Sequence, residues 1–152
     1  MPERRIRIEE YIPYLLNRVA MNMVKRGAKR FENLRLSVPS WRILFALREH
    51  ESCGFGELVT LTSIEPATLS RLIGQLHRRK LVRREKPPSD NRSLKISLTP
   101  AGIKLFDRSL PFAQEVETTL LEGVSKTEAR TLRKTLVRLY DNLQKQVDKE
   151  EP

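Results

Sequence analysis

The residues best placed to do chemistry lie within residues 65–99. Over residues 66–79, Leu69, Leu72, Ile73 and Leu76 recur at i, i+3, i+4 and i+7, which makes one apolar stripe of a helix. The opposite face carries Ala67, Arg71, Gly74 and Arg78, flanked by Thr68, Ser70 and Gln75, and it holds no carboxylate. Arg79 and Lys80 follow at the helix end. Residues 86–92, Lys-Pro-Pro-Ser-Asp-Asn-Arg, read as a turn-rich loop with a cationic tip that includes Asp90 and Arg92. Leu94, Ile96 and Leu98 then alternate with Ser93, Lys95 and Ser97, as in a strand with its leucine side turned inward. This set offers hydrogen-bond donors and positive charge on a slender helix, which is chemistry for gripping a polyanion.

The charge is focused on the same stretch. The formal net charge is +10, and residues 66–95 alone hold nine Lys/Arg against two Asp/Glu, whereas residues 96–152 are balanced at nine each. A patch of this kind is the electrostatic footprint of a nucleic-acid partner, although charge alone fits a solvated basic surface equally well. Other chemistries find no support. One cysteine, Cys53, with two histidines, His50 and His77, builds neither a disulfide framework nor a structural zinc site. No nucleophile–base pairing or glycine-rich phosphate loop marks an enzyme, and no cofactor is expected. No apolar run approaches the ~20 residues of a membrane span, and the first ten residues lack the apolar core of a signal peptide. The expectation is a soluble cytoplasmic chain, and 152 residues suit one domain of ordinary size.

The flanking elements must position that stretch. Pro13 suits the first turn of a helix that carries Ile12, Leu15, Leu16, Val19 and Met23 and ends near Lys29, weakened by Gly27. Ser37 caps a second helix with Pro39 in its first turn, and Trp41, Leu44, Phe45 and Leu47 form its apolar face. Trp41 at helical spacing reads as core. Residues 55–61 form a short helix with Phe55, Leu58 and Val59 inward, and residues 62–64 are the turn before the basic helix. Glu65 is a weak N-cap type, which leaves the start of that helix less defined than its middle, and Lys80 ends it where glycine is easiest. Thr99-Pro100 opens a further helix with Ile103, Phe106, Leu110 and Ala113 on one face, and Pro111 should kink or split it. Residues 125–128, Ser-Lys-Thr-Glu, are a capping box for a last helix bearing Leu132, Leu136, Leu139, Leu143 and Val147. This near-heptad seam, like the broad stripe of the first helix, suits burial against a second copy of the chain.

A basic helix preceded by a short helix and followed by a basic hairpin is the outline of a winged helix-turn-helix. In this order of elements the chain resembles the MarR (multiple antibiotic resistance regulator) family of bacterial transcription factors. The resemblance rests on LSVPSWRIL at residues 36–44, ELV at 57–59, TLSRLIGQLHRRKLVRR at 68–84 and SDNRSLKISLTPAG at 89–102. It implies a mainly α fold with a small two- or three-stranded β wing. One domain would span residues 1–152: an arm and dimerisation helix at 1–35, the winged helix-turn-helix at 36–99, and C-terminal dimerisation helices at 100–152.

The resemblance further implies double-stranded DNA as partner, a homodimer, and a small aromatic effector that weakens DNA binding, with repression the usual outcome. The helix at 66–79 would lie in the major groove, with Ala67, Thr68, Ser70, Arg71 and Gln75 at base edges and Arg78, Arg79 and Lys80 at phosphates. Asp90 would orient Arg92 into the minor groove. Other readings are an interaction protein that does not bind DNA and a non-specific nucleic-acid binder. Three positions depart from the family pattern: Lys80 stands where glycine is usual, Ser93 where a second arginine is common, and Pro111 lies inside the long helix. Redox-responsive members use a cysteine in the first helix, where this chain has none. Cys53 reads as a partly buried small residue, and Met21, Met23, Trp41 and Phe45 are the sequence's only suggestion of an effector pocket.

Overall fold

A computed structural model describes residues 7–86 and 94–150, with side chains up to residue 146. The elements in order are α1 (Ile12–Phe31), α2 (Val38–His50), β1 (Ser52–Gly54), α3 (Phe55–Thr62), α4 (Pro66–Arg78), β2 (Val82–Glu85), β3 (Lys95–Leu98), α5 (Pro100–Leu120) and α6 (Lys126–Glu150). Short 3-10 turns precede and follow α1. The chain forms two compact units, residues 1–116 and 117–152.

The first unit is built around an apolar centre supplied by α2, α3, α4 and the sheet. Ile43, Leu44, Leu47, Leu58, Leu69, Ile73, Leu76, Val82 and Ile96 are all nearly inaccessible to solvent. The four apolar positions of α4 identified by spacing are all buried. At about 1.5–3 kcal/mol for each buried side chain of this size, that stripe is the main force fixing the rotation of α4. Its opposite face is thereby turned outward.

The sheet is antiparallel in the order β1-β3-β2, so the wing strand β3 is central. The third strand, β1, lies in the stretch after α2 that shows no strand pattern in the sequence. Cys53 in β1 is fully buried opposite Ile96. Centrality also corrects the expected alternation along β3. Ile96, Ser97 and Leu98 are all buried, while Leu94, which precedes the paired segment, is exposed. Ser97 tolerates burial because its hydroxyl accepts a hydrogen bond from Arg83 Nε at 2.9 Å.

Two further expectations, for Gly27 and Phe55, are revised, and those for Pro111 and Trp41 are refined. Gly27 does not weaken α1, which continues to Phe31; it is buried, and a Cβ there would sit 3.2 Å from Val38 Cγ2. It lets the first turn of α2 approach closely. Phe55 points outward, leaving Leu58 to fill the core. Pro111 does not split α5, which runs unbroken over 21 residues. Trp41 is half-buried, stacked between Phe31 and Phe45 at centroid distances of 5.6 and 5.2 Å. Its indole N–H donates to Ser109 Oγ at 2.9 Å, which satisfies the polar end of the ring.

The Ser37 and Ser125 caps form as read from sequence. Ser40 N–H donates to Ser37 Oγ at 3.1 Å, and Ser125 and Glu128 exchange bonds reciprocally. The end of α4 is equally defined. Lys80 adopts the left-handed conformation, φ 57°, that glycine would take at least cost. The turn is closed by Lys80 N–H to the His77 carbonyl at 2.8 Å and Leu81 N–H to the Leu76 carbonyl at 3.0 Å.

That turn is clamped from the other side by Thr99. Its hydroxyl donates toward the Lys80 and Leu81 carbonyls at 2.7 and 3.2 Å and accepts from Gly102 N–H at 3.1 Å, while Thr99 N–H donates to the Leu81 carbonyl at 3.0 Å. Gly102 explains the spacing Leu-Thr-x-x-Gly: a Cβ on it would stand 2.0 Å from the Leu81 carbonyl oxygen. A backbone atom cannot yield that distance without separating α5 from the end of α4. Gly102→Ala should therefore destabilise the protein by more than about 2 kcal/mol. Equilibrium urea denaturation of the two proteins checks this through the shift in midpoint.

Candidate nucleic-acid interface

The outward face of α4 is the expected one. Ala67, Ser70, Arg71 and Arg78 are exposed, and Thr68, Gly74 and Gln75 are half-buried at its margins. Ala67, Thr68, Ser70, Arg71, Gln75 and Arg78 thus share one surface. Asp90 and Arg92, with the loop that carries them, lie outside the described residues.

The start of α4 is better defined than its sequence implies. Glu65 acts as the N-cap, its carboxylate accepting from Ala67 N–H and Thr68 N–H, each at 2.9 Å. The longer glutamate side chain achieves what aspartate or serine usually does, because Pro66 at the next position preorganises the first turn. Those backbone bonds, Ala67 first, hold the Glu65 carboxyl below its ordinary value. The charge at the mouth of α4 is therefore engaged with the helix backbone.

Cations dominate the surface beside α4. A Cβ at Gly74 would lie 3.7 Å from Arg78 Nη1 and 3.8 Å from Arg84 Nη2, so two guanidinium groups converge over this glycine. Arg84, on β2, is a member of this surface that the sequence shows only as part of a charge run. The signal that could have found it is the glycine itself, a gap in the outer face of a helix with arginine four residues on. Nearby carboxylates are engaged elsewhere. Glu85 pairs with Arg83 at 3.3 Å, and Glu57 pairs with Lys95 at 3.2 Å while accepting from Gly54 N–H at 2.8 Å. Among the described residues, Arg71, Arg78 and Arg84 have no carboxylate partner. Their positive field is left open to solvent.

Arg79 departs from its neighbours. Its guanidinium donates to the Arg35 carbonyl at 2.7 Å and to the Leu34 carbonyl at 3.3 Å. It joins the end of α4 to the turn before α2, where Arg35 itself adopts a left-handed conformation, φ 49°. Next to this joint a cleft of about 480 Å³ runs between α4 and the start of α2, lined by Gln75, Arg78, Ser37 and Ser40 among others. Three residues expected to contact a partner, Gln75, Arg78 and Arg79, thus border the same depression as the capped N-terminus of α2. Lys80 is exposed beyond the joint.

Cys53 takes no part in this surface. Burial first, and the Glu57 carboxylate second, push its thiol above the ordinary value, which keeps it protonated and unreactive. Among the described residues no group of His, Cys, Asp and Glu could hold a metal ion, and no helix is long and apolar enough to cross a membrane.

The engaged state of Glu65 makes a testable pH effect. A depressed folded value means its charge stabilises the fold fully above the unfolded value of about 4.3, and this contribution is lost as pH falls through the lower folded value. Glu65→Gln should lower the thermal midpoint at neutral pH, and the gap to the parent should close in strongly acidic buffer. Calorimetry of both proteins from neutral pH into that range checks it; a gap that stays constant contradicts the capping role.

Known proteins share this architecture and sequence. The MarR family matches residues 36–94. The transcriptional repressor IacR of Pseudomonas putida is 22% identical over 91% of this chain and 83% of its own length. The structure of BpsR from Bordetella bronchiseptica, studied for regulation of its DNA binding by 6-hydroxynicotinic acid, superposes with a TM-score of 0.81 at 26% identity, covering 90% of this chain and 97% of that one. A MarR family transcriptional regulator from Silicibacter pomeroyi superposes with a TM-score of 0.83 at 30% identity over 93% of this chain and 96% of its own. With the winged helix-turn-helix geometry described above, these matches establish that the chain belongs to the MarR family of transcriptional regulators.

Proposed function

We propose that the protein is a cytoplasmic repressor that binds a pseudo-palindromic DNA operator as a homodimer and is released by a small aromatic ligand. The observation that carries the DNA reading is the carboxylate-free outer face of α4, beside which Arg71, Arg78 and Arg84 have no carboxylate partner among the described residues. In this reading α4 enters the major groove. Arg71 grips guanine O6 and N7, Gln75 pairs with adenine, and Ala67, Thr68 and Ser70 meet base edges or a thymine methyl. Arg78, Arg84 and Lys80 neutralise phosphates, which sets affinity and salt dependence rather than sequence. Asp90 and Arg92 retain the minor-groove role expected from the sequence. Arg79 seats the end of α4 through its bonds to the Leu34 and Arg35 carbonyls and keeps N–H donors for the phosphate contact expected of it.

Two copies related by a dyad would present two α4 helices to half-sites about one helical turn apart. Exposed apolar side chains support this pairing. Ile12, Leu15, Leu16, Val19 and Met23 on α1 are all exposed, and so are Leu132, Leu136, Tyr140 and Leu143 on α6, Leu143 at 69%. Apolar rows of this extent mark surfaces that a partner covers. The ligand reading draws on BpsR and on Phe45, an exposed ring stacked on Trp41, which offers an aromatic face at the surface. Repression draws on IacR.

Arg71→Ala should relax preference at a single base position while leaving the overall fold intact. Selection of bound sequences from random duplex DNA, run on parent and variant, reads this directly; identical motifs would contradict the assignment. The dimer has its own test. Leu136→Asp with Leu143→Asp should give monomers in sedimentation equilibrium and weaken operator binding by more than tenfold in gel-shift titration at matched salt, as half-sites lose their linkage.

A further inference from the structure

A second basic surface lies on α6, in the unit of residues 117–152, and plays no part in the operator contacts proposed above. Lys126, Arg130, Lys134 and Arg138 follow one another at intervals of four along this 25-residue helix. At 3.6 residues per turn they form one row, and Leu132, Leu136 and Leu143 lie on the opposite side of the helix. All four cations are exposed. Among the described residues none of them has a carboxylate partner, whereas their neighbour Arg133 pairs with Glu117 at 2.9 Å. Glu128, within the same stretch, is committed to the Ser125 cap. Asp141, one turn beyond Arg138, makes no ion pair with it. Helix stability does not account for such a row. Like charges four residues apart repel, and three such pairs follow in succession here. Lys126 is also the first residue of α6, where a cation meets the positive end of the helix dipole. A merely solvated helix face mixes both signs so that neighbours pair.

The complement of a single-sign row is a continuous line of anions. We infer that this row is a second contact for double-stranded DNA, one that holds the sugar-phosphate backbone without reading sequence. Successive cations stand about 6 Å apart along the helix axis, a spacing that lets each take a separate phosphate of one strand. No base edge need be reached, so the contact adds affinity and salt dependence rather than preference. A lipid surface would need the leucine side of α6 as well as its cations, and that side is the one assigned to the second copy of the chain. The contact is independent of α4, and it stands whether or not α4 selects an operator.

The test uses the whole protein and a random-sequence duplex, with binding read by fluorescence anisotropy at several salt concentrations. The starting protein is Arg71→Ala/Arg78→Ala/Arg84→Ala, which lacks the α4 arginines. It should still bind the duplex, more weakly than the parent and in a salt-dependent way. Adding Lys126→Gln/Arg130→Gln/Lys134→Gln/Arg138→Gln should weaken that binding more than tenfold. It should also flatten the slope of log K against log salt by about 3–4, since each phosphate contact contributes about 0.9. The smaller change Lys134→Gln/Arg138→Gln should give about half of that effect. Adding instead Arg18→Gln/Lys25→Gln/Arg26→Gln/Lys29→Gln, at four exposed cations of α1, removes the same charge and should change the slope by less than about 1. The α6 variants should melt at or above the starting protein, because repulsion along the row is relieved, and this verifies that they fold. Loss of all duplex binding in the starting protein overturns the proposal. An equal loss with the α1 substitutions also overturns it, because net charge alone is then being read. A larger effect of the four α6 substitutions on binding to phosphatidylserine vesicles than to the duplex overturns it in favour of a lipid surface.

Discussion

The structure turns on the backbone at Lys80 and Leu81. Three elements meet there: α4 ends, β2 begins, and α5 starts over the same two carbonyls. Thr99 satisfies both carbonyls with one hydroxyl and one N–H, and Gly102 clears the space. A buried or crowded carbonyl left without a donor costs about 1–3 kcal/mol. The chain therefore has one inexpensive way to pass from recognition helix to wing to long helix. The Arg79 guanidinium adds a second tie on the other side, to the turn that precedes α2. Rotation of α4 is set by its buried leucines and its axial position by these ties. An outward face only 13 residues long can then be aimed as a rigid body.

Lys80 shows what this arrangement tolerates. A left-handed non-glycine residue costs roughly 1–2 kcal/mol, yet the junction holds it there because the bonds around it leave no alternative. What the lysine adds is a cation at the edge of the α4 surface. Stability given up in the turn is thus exchanged for charge beside the surface that carries Arg78 and Arg84, a trade that fits a surface selected for binding a polyanion.

Much of this was legible in the sequence, and the reasons are local. The stripe Leu69, Leu72, Ile73 and Leu76 announces both the helix and, by exclusion, its outer face, since period 3.6 leaves no other orientation. Ser37 and the Ser125–Glu128 box report helix starts through short-range hydrogen bonds. The features that were not legible depend on partners distant in sequence. Cys53 gives no sign of a strand, because what makes it one is Ile96, 43 positions later. Ser97 belongs by pattern to the polar side of its strand, and only the placement of β3 between two neighbours buries it. Arg79 looks like its neighbour Arg78 until the Leu34 and Arg35 carbonyls are brought beside it. Arg84 becomes part of the α4 surface only when β2 folds back over Gly74.

Glu65 is the instructive intermediate case. Its side chain is a poor cap by frequency because a glutamate must fold back on itself and lose rotamer freedom to reach the helix N–H groups. Pro66 has already fixed the backbone of the first turn, so the remaining cost is that of the side chain alone. Once there, the carboxylate also faces the positive end of the α4 dipole. A phosphate drawn to that helix end would meet a carboxylate already occupying it. The anion-attracting end of α4 is thereby closed, and attraction is left to the arginines along its side. Binding should then be steered by Arg71, Arg78 and Arg84, whose guanidinium forks discriminate geometry, rather than by an open helix terminus that accepts any anion. In this sense the cap contributes to selectivity as well as to the fold.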